Sequence, residues 1–235
     1  MSTSNASSTA PMESHPCAAQ AVRMDRMYRL QRHFYDLTRK FYLLGRDDLL
    51  TKMNVQAGQT VLEVGCGTGR NLAILARRHP DVRFWGLDAS TEMLKTAAAT
   101  MERKKISERV VLRQALAEEL DPEGLFGLAR PFDTIFFSYS LSMIPTWEQA
   151  VEKAISSLAP QGHLHIVDFC DQMGLPAPLR WMIKRWLALF GVHHKPELVP
   201  ALERMAGEGK CELQVKYLYG RYAFRADVSL SNARP

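Results

Sequence analysis

No apolar stretch in these 235 residues reaches the ~20 that a helix needs to span a bilayer, so the chain is not expected to cross a membrane. The segment from Met1 to about Gln20 is rich in Ser, Ala and Thr and lacks the hydrophobic centre of a secretory signal. Residues 1–21 are expected to form a disordered tail. Cysteines are few. Cys17, Cys66, Cys170 and Cys211 include no pair at the close spacing of a zinc site or a redox couple, which leaves free thiols in a reducing compartment. No internal repeat is present, and no low-complexity segment beyond the tail. What is there is an ordinary balance of 46% hydrophobic and 23% charged residues, enough for one domain with a sizeable core and an extension. Lys and Arg outnumber Asp and Glu by 30 to 25, and this net charge of +5 suits an anionic partner such as headgroups, nucleic acid or an acidic substrate.

From about Val22 to Leu50 the pattern is helical. Met27, Tyr28, Gln31, Phe34, Tyr35, Thr38, Phe41 and Tyr42 recur at three- and four-residue spacing on one face, with Arg26, Arg29, Arg32 and Arg39 on another. Strands and helices then alternate. Thr60–Val64, Val82–Leu87, Val110–Leu112, Thr134–Phe137 and His163–Phe169 read as short strands. Asn71–Arg78, Thr91–Arg103 and Trp147–Leu158 read as helices, the second opened by Ser90 as N-cap and the third ended by Pro160 and Gly162. This order predicts an α/β fold with a mostly parallel sheet and helices on both faces. Leu175–His194 interrupts the alternation with a Pro-rich start and a basic, aromatic helix, inside an insertion at 175–208. Cys211–Tyr217 and Arg221–Val228 read as closing strands joined at Gly220, which makes the sheet seven-stranded.

The segment that carries chemistry is Val61-Leu62-Glu63-Val64-Gly65-Cys66-Gly67-Thr68-Gly69-Arg70-Asn71. An apolar strand runs into glycines at alternate positions and then into a helix. Without Cβ atoms the turn can be tight and a ligand can approach the backbone. A dinucleotide fold wants its third glycine one place later, where Arg70 stands. Glu63 precedes the first glycine by two residues, and Asp88 ends the second strand, where a carboxylate can take both hydroxyls of a ribose.

Together these features resemble the first two motifs of class I S-adenosylmethionine-dependent methyltransferases, over roughly Thr60 to Phe169. The resemblance implies a Rossmann-like fold and S-adenosyl-L-methionine as cofactor. It sets Gly65, Gly67 and Gly69 against the amino-acid part and Asp88 on the ribose. It also implies cofactor contacts from Glu63, Asn71, Ala89, Met93 and Ser138. In the family the third strand is usually followed by Asp-Ala at the adenine. Here Gln114-Ala115-Leu116-Ala117-Glu118-Glu119 puts Leu116 in the acid position and Ala117 on the alanine. Leu116 cannot accept a hydrogen bond from the adenine amino group. Either Glu118 or Gln114 does so, or apolar contact and backbone alone hold the ring.

The fourth strand ends at Ser138-Tyr139-Ser140-Leu141-Ser142-Met143. Ligands in open α/β sheets bind beyond the carboxyl ends of strands, so these residues are expected near the reactive methyl. Methyl transfer from a sulfonium is an in-line displacement that needs a deprotonated nucleophile, alignment and exclusion of water, and no metal. The Tyr139 hydroxyl is a candidate to orient the acceptor, the alternative being a half-buried packing residue. Asp168, at the end of the fifth strand, is a second catalytic candidate. His165 reads as a core or edge histidine rather than a base.

The block Arg32-His33-Phe34-Tyr35-Asp36-Leu37-Thr38-Arg39-Lys40-Phe41-Tyr42-Leu43-Leu44-Gly45-Arg46, with the glycine run and Phe137–Pro145, resembles the bacterial betaine-lipid N-methyltransferases. These convert diacylglyceryl-homoserine to diacylglyceryl-trimethylhomoserine. Quinone-ring C-methyltransferases carry a similar Tyr-Asp-Leu element. The resemblance implies a helical lid over 22–50, with Tyr35 as a further catalytic candidate and Arg39 and Tyr42 over the cofactor, and a methyltransferase domain over 51–230. It implies a membrane lipid substrate, an anionic membrane surface and a partner enzyme that makes the homoserine lipid.

The inserted helix points the same way. Leu179, Met182, Ile183, Trp186, Leu187 and Phe190 form an apolar stripe flanked by Arg180, Lys184, Arg185 and Lys195, with no acid between Gln172 and Pro196. Trp with Lys and Arg on an amphipathic helix is the signature of interfacial binding, here through Trp186 and Phe190. The rival reading is a core-facing helix with a solvated basic face. The expected protein is an enzyme at the cytoplasmic face of the membrane, with a quinone or a soluble amine as alternative substrates. The alternative outside enzymes is a nucleic-acid-binding protein. Against it, the bases alternate with apolar stripes and no RNA-binding module is recognisable.

Overall fold

The computed structural model describes residues 43–189, 192, 194–209 and 211–230. The expected tail, the lid helix up to Tyr42 with Tyr35 and Arg39, and Phe190 lie outside the described residues. One sheet is built from β1 (Thr60–Val64), β2 (Arg83–Asp88), β3 (Val110–Gln114), β4 (Phe132–Ser138), β5 (Leu158–Phe169), β6 (Cys211–Leu218) and β7 (Ala223–Leu230). Its order is β3-β2-β1-β4-β5-β7-β6. The first five strands are parallel, and β7 runs antiparallel to both β5 and β6. This is the expected Rossmann-like α/β architecture.

The helices are α1 (Arg46–Lys52), α2 (Arg70–Arg78), α3 (Thr91–Arg103), α4 (Pro122–Phe126), α5 (Trp147–Ser156), α6 (Ala177–Ala188) and α7 (Leu198–Gly207). β1 is buried at every position, as a central parallel strand covered on both faces must be. Alternate side chains then serve two cores. Val61 joins Leu72 and Leu75 of α2, Leu49 of α1 and Met101 of α3, while Leu62 and Val64 join Ala150 and Ala154 of α5 and Leu202 of α7. From β1 the chain winds outward to β3, then returns to place β4 on the other side of β1. That reversal leaves a crevice beyond the carboxyl ends of β1 and β4.

Three local expectations are corrected. The helix read from Val22 does not run unbroken to Leu50. Gly45 takes φ 85 as the N-cap of α1, and a Cβ there would lie 2.7 Å from Leu218 Cδ1. Next, α5 stops at Ser156 and Leu158 opens β5, because Leu158 is fully buried and pairs with Phe132 on β4. A register shift between Phe132 and Thr134 absorbs the intervening residues, with Gln161 at φ 64. Finally, the apolar stripe of the inserted helix is split. Ile183, Trp186 and Leu187 share one side by their three- and four-residue spacing and pack on the core, whereas Trp181 is 64% exposed and Met182 56% exposed. Ser90 caps α3 as expected, its Oγ accepting from Met93 N at 3.3 Å.

Gly86, at the middle of β2, lies where helix and sheet come closest. A Cβ there would stand 2.7 Å from Leu72 Cδ1, 2.8 Å from Leu112 Cδ2 and 2.9 Å from Cys66 Sγ. Gly86→Ala is therefore expected to destabilise the fold by ~1–3 kcal/mol through overpacking. Urea unfolding measures this, and wild-type stability in the variant would contradict the close approach.

Candidate active site

β1 delivers the glycine run at the reversal point. Gly65, Gly67 and Gly69 all take left-handed φ, at 73, 54 and 73°. Only glycine visits that region without a steric cost. Gly65 N and Cys66 N donate to Leu87 O at 2.8 and 3.0 Å, which ties the loop to the end of β2. A Cβ on Gly65 would lie 2.4 Å from Ser140 Cβ beyond β4. Gly65 and Gly67 thus present bare backbone to a cleft.

Asp88 is buried at the end of β2. Its Oδ2 accepts from Gly67 N at 2.7 Å and its Oδ1 from Ser90 N at 2.9 Å. A carboxylate has about four lone-pair sites, so it can hold the loop and still accept from a ligand. Asp88 lines the cleft together with Gly65, Gly67, Ala89 and Met93, opposite Leu116, Ala117 and Glu118. Glu118 Oε1 accepts from Thr146 Oγ1 at 2.8 Å. Gln114, the other polar group considered for the adenine, is exposed and donates from Nε2 to Ala89 O at 3.2 Å.

Glu63 and Asn71 lie on the other side of the glycine loop, with Asn71 Nδ2 donating to Glu63 Oε1 at 2.6 Å. They line a second cavity with Ser138 and Arg46, and Gly65 borders both spaces. Gly69 lines neither. It caps α2, and a Cβ there would meet Met101 Cε at 2.6 Å. Sequence reasoning missed Arg46 as a site residue. Grouped with an Arg-bearing helix, it is instead buried at the first turn of α1, and only the fold brings it to line one cavity with Glu63 and Ser138.

Tyr139 lines the cleft, but its hydroxyl is not directed as expected. It donates to Leu44 O, and the ring stands edge-to-face on Phe169 at 4.6 Å. Burial holds the phenol well above its ordinary range, so it is a neutral donor already engaged, not a base. The residue sits at φ 57, a strained conformation for a bulky side chain and a kind of outlier that gathers at functional sites. No sequence signal marks it.

Asp168 and His165 stand outside both cavities. Asp168 Oδ2 accepts from Ser142 N at 3.0 Å and Oδ1 from Phe169 N at 2.7 Å, at 1% exposure. The catalytic expectation for Asp168 is thereby replaced by a positioning role: it fastens the turn after β4 to the end of β5. His165 pairs with Asp227 at 2.7 Å. Cys66, Cys170 and Cys211 are buried free thiols, and burial pushes all of them up.

Burial raises Asp168 to about 6 against the donated backbone N–H bonds, from 3.8 in an unfolded chain. Between about pH 4 and pH 6 the native state holds a proton that the unfolded state has lost. The stability this group contributes therefore falls as pH rises through that window, by up to ~3 kcal/mol. Asp168→Asn does not titrate and is expected to flatten that part of the profile of urea midpoint against pH. An unchanged slope would mean that Asp168 is not the group responsible.

A methyltransferase-domain family matches residues 62–164, the stretch that contains the glycine loop and both walls of the cleft. The trans-aconitate 2-methyltransferase of Azoarcus sp. (strain BH72) is 30% identical over 119 residues, 51% of this chain and 42% of that protein. The chain spans about two fifths of the length of such relatives. The phosphatidylethanolamine N-methyltransferase of Cereibacter sphaeroides is 30% identical over 163 residues, 68% of this chain and 73% of that protein. A SAM-dependent methyltransferase of Aquifex aeolicus shares the fold, with a TM-score of 0.58 at 16% identity over 91% of this chain and 98% of that one. By this likeness, the left-handed glycine loop, and the acid that grips it from the end of β2, the chain belongs to the class I S-adenosylmethionine-dependent methyltransferases.

Proposed function

We propose that this chain methylates the amine of a lipid headgroup, carrying diacylglyceryl-homoserine to diacylglyceryl-trimethylhomoserine. The observation that carries this reading is the Cereibacter relative, named for a lipid amine and aligned over about two thirds of both chains. The exposed basic and aromatic face of α6 supports it.

In this reading the residues divide by charge. Asp88 accepts from the ribose hydroxyls, and the bare glycine backbone lies against the amino-acid part. Arg46 answers the carboxylate of that part, and Glu63 with Asn71 answers its ammonium. Leu116, Ala117 and Met93 hold the adenine by apolar contact, with Glu118 at the rim. When bound, the sulfonium supplies an electrophilic methyl group. The protein's part is to align the acceptor and exclude water. Among the described residues neither expected base is available at the cleft, since Tyr139 is a neutral donor to Leu44 and Asp168 lies beneath the turn. In this reading the amine sheds its proton to water before it attacks.

Asp88→Ala is expected to weaken S-adenosylhomocysteine binding by ~1–3 kcal/mol, the scale of a lost hydrogen bond to a charged group. Calorimetry measures it, and wild-type affinity would remove Asp88 from the site. Single-turnover rates on an amine acceptor are expected to climb with pH toward the amine's own range, ~8–10. A flat profile would contradict the loss of the proton to water.

Mass spectrometry of purified chain incubated with S-adenosylmethionine and diacylglyceryl-homoserine is expected to show lipid that has gained methyl groups. The trans-aconitate relatives favour a second reading, a small carboxylate acceptor. Methylation of trans-aconitate but not of the lipid would establish that reading instead.

A further inference from the structure

Among the described residues, the exposed large hydrophobic side chains fall in two stretches far apart in sequence. Met173, Leu179, Trp181, Met182 and Leu189 lie in and around α6, and Tyr217 and Tyr219 lie at the tip of the β6–β7 hairpin. The fold stitches the two together. Gln172 N donates to Arg221 O at 2.8 Å and Gly174 N to Gly220 O at 3.1 Å. A Cβ on Gly174 would stand 2.8 Å from the Gly220 carbonyl, so the backbones touch. Arg221 grips Asp171 with Nε at 2.8 Å and a terminal nitrogen at 2.5 Å.

The charge on this face is mostly positive. Arg180, Lys184 and Arg185 lie on α6, and Lys216 and Arg221 on the hairpin. Asp171 is answered by Arg221, and no acid follows it until Glu197. Two of the guanidinium groups lie over exposed rings: Arg185 stands 5.3 Å from the Trp181 centroid and Arg221 4.0 Å from that of Tyr217. Cations interleaved with Trp and Tyr suit a headgroup layer, where rings sit between apolar and wet regions and bases meet anionic lipid. The centre of a protein interface is depleted of charge.

The face also adjoins the cleft. Tyr219 Cε2 lies 3.8 Å from where a Cβ on Gly45 would be, and the neighbouring Leu44 carbonyl receives the Tyr139 hydroxyl in the cleft wall. We infer that α6 and the β6–β7 tip form one docking face for an anionic lipid bilayer, which sets the cleft mouth against the leaflet. A headgroup can then reach the cleft while its acyl chains stay in the membrane. This deepens the lipid-headgroup reading and rests on it for the substrate. It moves the membrane contact from Trp186, which packs inward, to Trp181, and adds a second element that no helical periodicity reveals.

The test uses the full chain with vesicles of phosphatidylcholine mixed with phosphatidylglycerol, and of phosphatidylcholine alone. Wild type is expected to sediment with the anionic vesicles and to be released by high salt. Trp181→Ser combined with Tyr219→Ser removes two exposed rings, so the fold is expected to stand. Vesicle binding is expected to weaken by about tenfold or more, while S-adenosylhomocysteine affinity and thermal unfolding stay as in wild type. Wild-type binding by the double variant overturns the docking face. So does a wild type that ignores anionic vesicles, including one that instead forms a dimer which the double variant loses. If the variant loses vesicle binding but wild type methylates no lipid amine, the docking face stands and the substrate reading falls. If both methylate lipid equally and bind vesicles equally, the substrate reading stands and the docking face falls.

Discussion

The hydrogen bond from the Gly67 amide to Asp88, at 2.7 Å, joins the loop after β1 to the end of the parallel strand β2, beside the crevice between β1 and β4. Much of the site is organised around it. Each glycine of this left-handed run loses more chain entropy on folding than any other residue would, and has no side chain of its own to pack. A buried carboxylate with two backbone N–H partners supplies the missing restraint. Its second bond, to Ser90 N, sets the start of α3. Ser90 in turn caps that helix through Met93 N, and Met93 lines the cleft. One charge thereby fixes a loop, a helix start and a wall.

A second buried carboxylate repeats the arrangement on the other side of the crevice. Asp168 accepts from Ser142 N and Phe169 N, holding the turn after β4 to the end of β5. The two acids differ in exposure to the cleft. Asp88 lines it, whereas Asp168 is sealed from it and its carboxyl is pushed up to about 6. Position relative to the cavity, and not the residue type at a strand end, separates a cleft-lining acid from a structural brace. Between them Tyr139, at φ 57, carries the strain of turning the chain, with its hydroxyl on Leu44.

Features carried by a few neighbouring residues were legible in the sequence. The apolar run of β1, the glycines, the acid closing β2, and α3 with its Ser90 cap all appear where local chemistry puts them. The parallel order followed from the alternation of strands and helices. Leu116, Ala117 and Glu118 reached the cleft even though the usual acid is missing. The end of α5 was misplaced because Leu158 answers to a partner on β4, not to the Pro160 and Gly162 that follow it. The helix read through Gly45 was too long at its described end because Leu218, from the far end of the chain, occupies the space beside it.

The sequence by itself determined the fold class, the cofactor family and the glycine loop that borders the cleft. These depend on backbone freedom, hydrophobic period and the placement of one acid, all of which act over a few residues. Only the tertiary structure decided that Arg46 is buried and lines a cavity with Glu63, that Asp168 braces a turn, and that Trp186 packs inward while Trp181 is exposed. Those outcomes depend on which groups lose their water and to whom they bond once distant segments meet. Desolvation and pairing are properties of the assembled neighbourhood, and no local pattern encodes them.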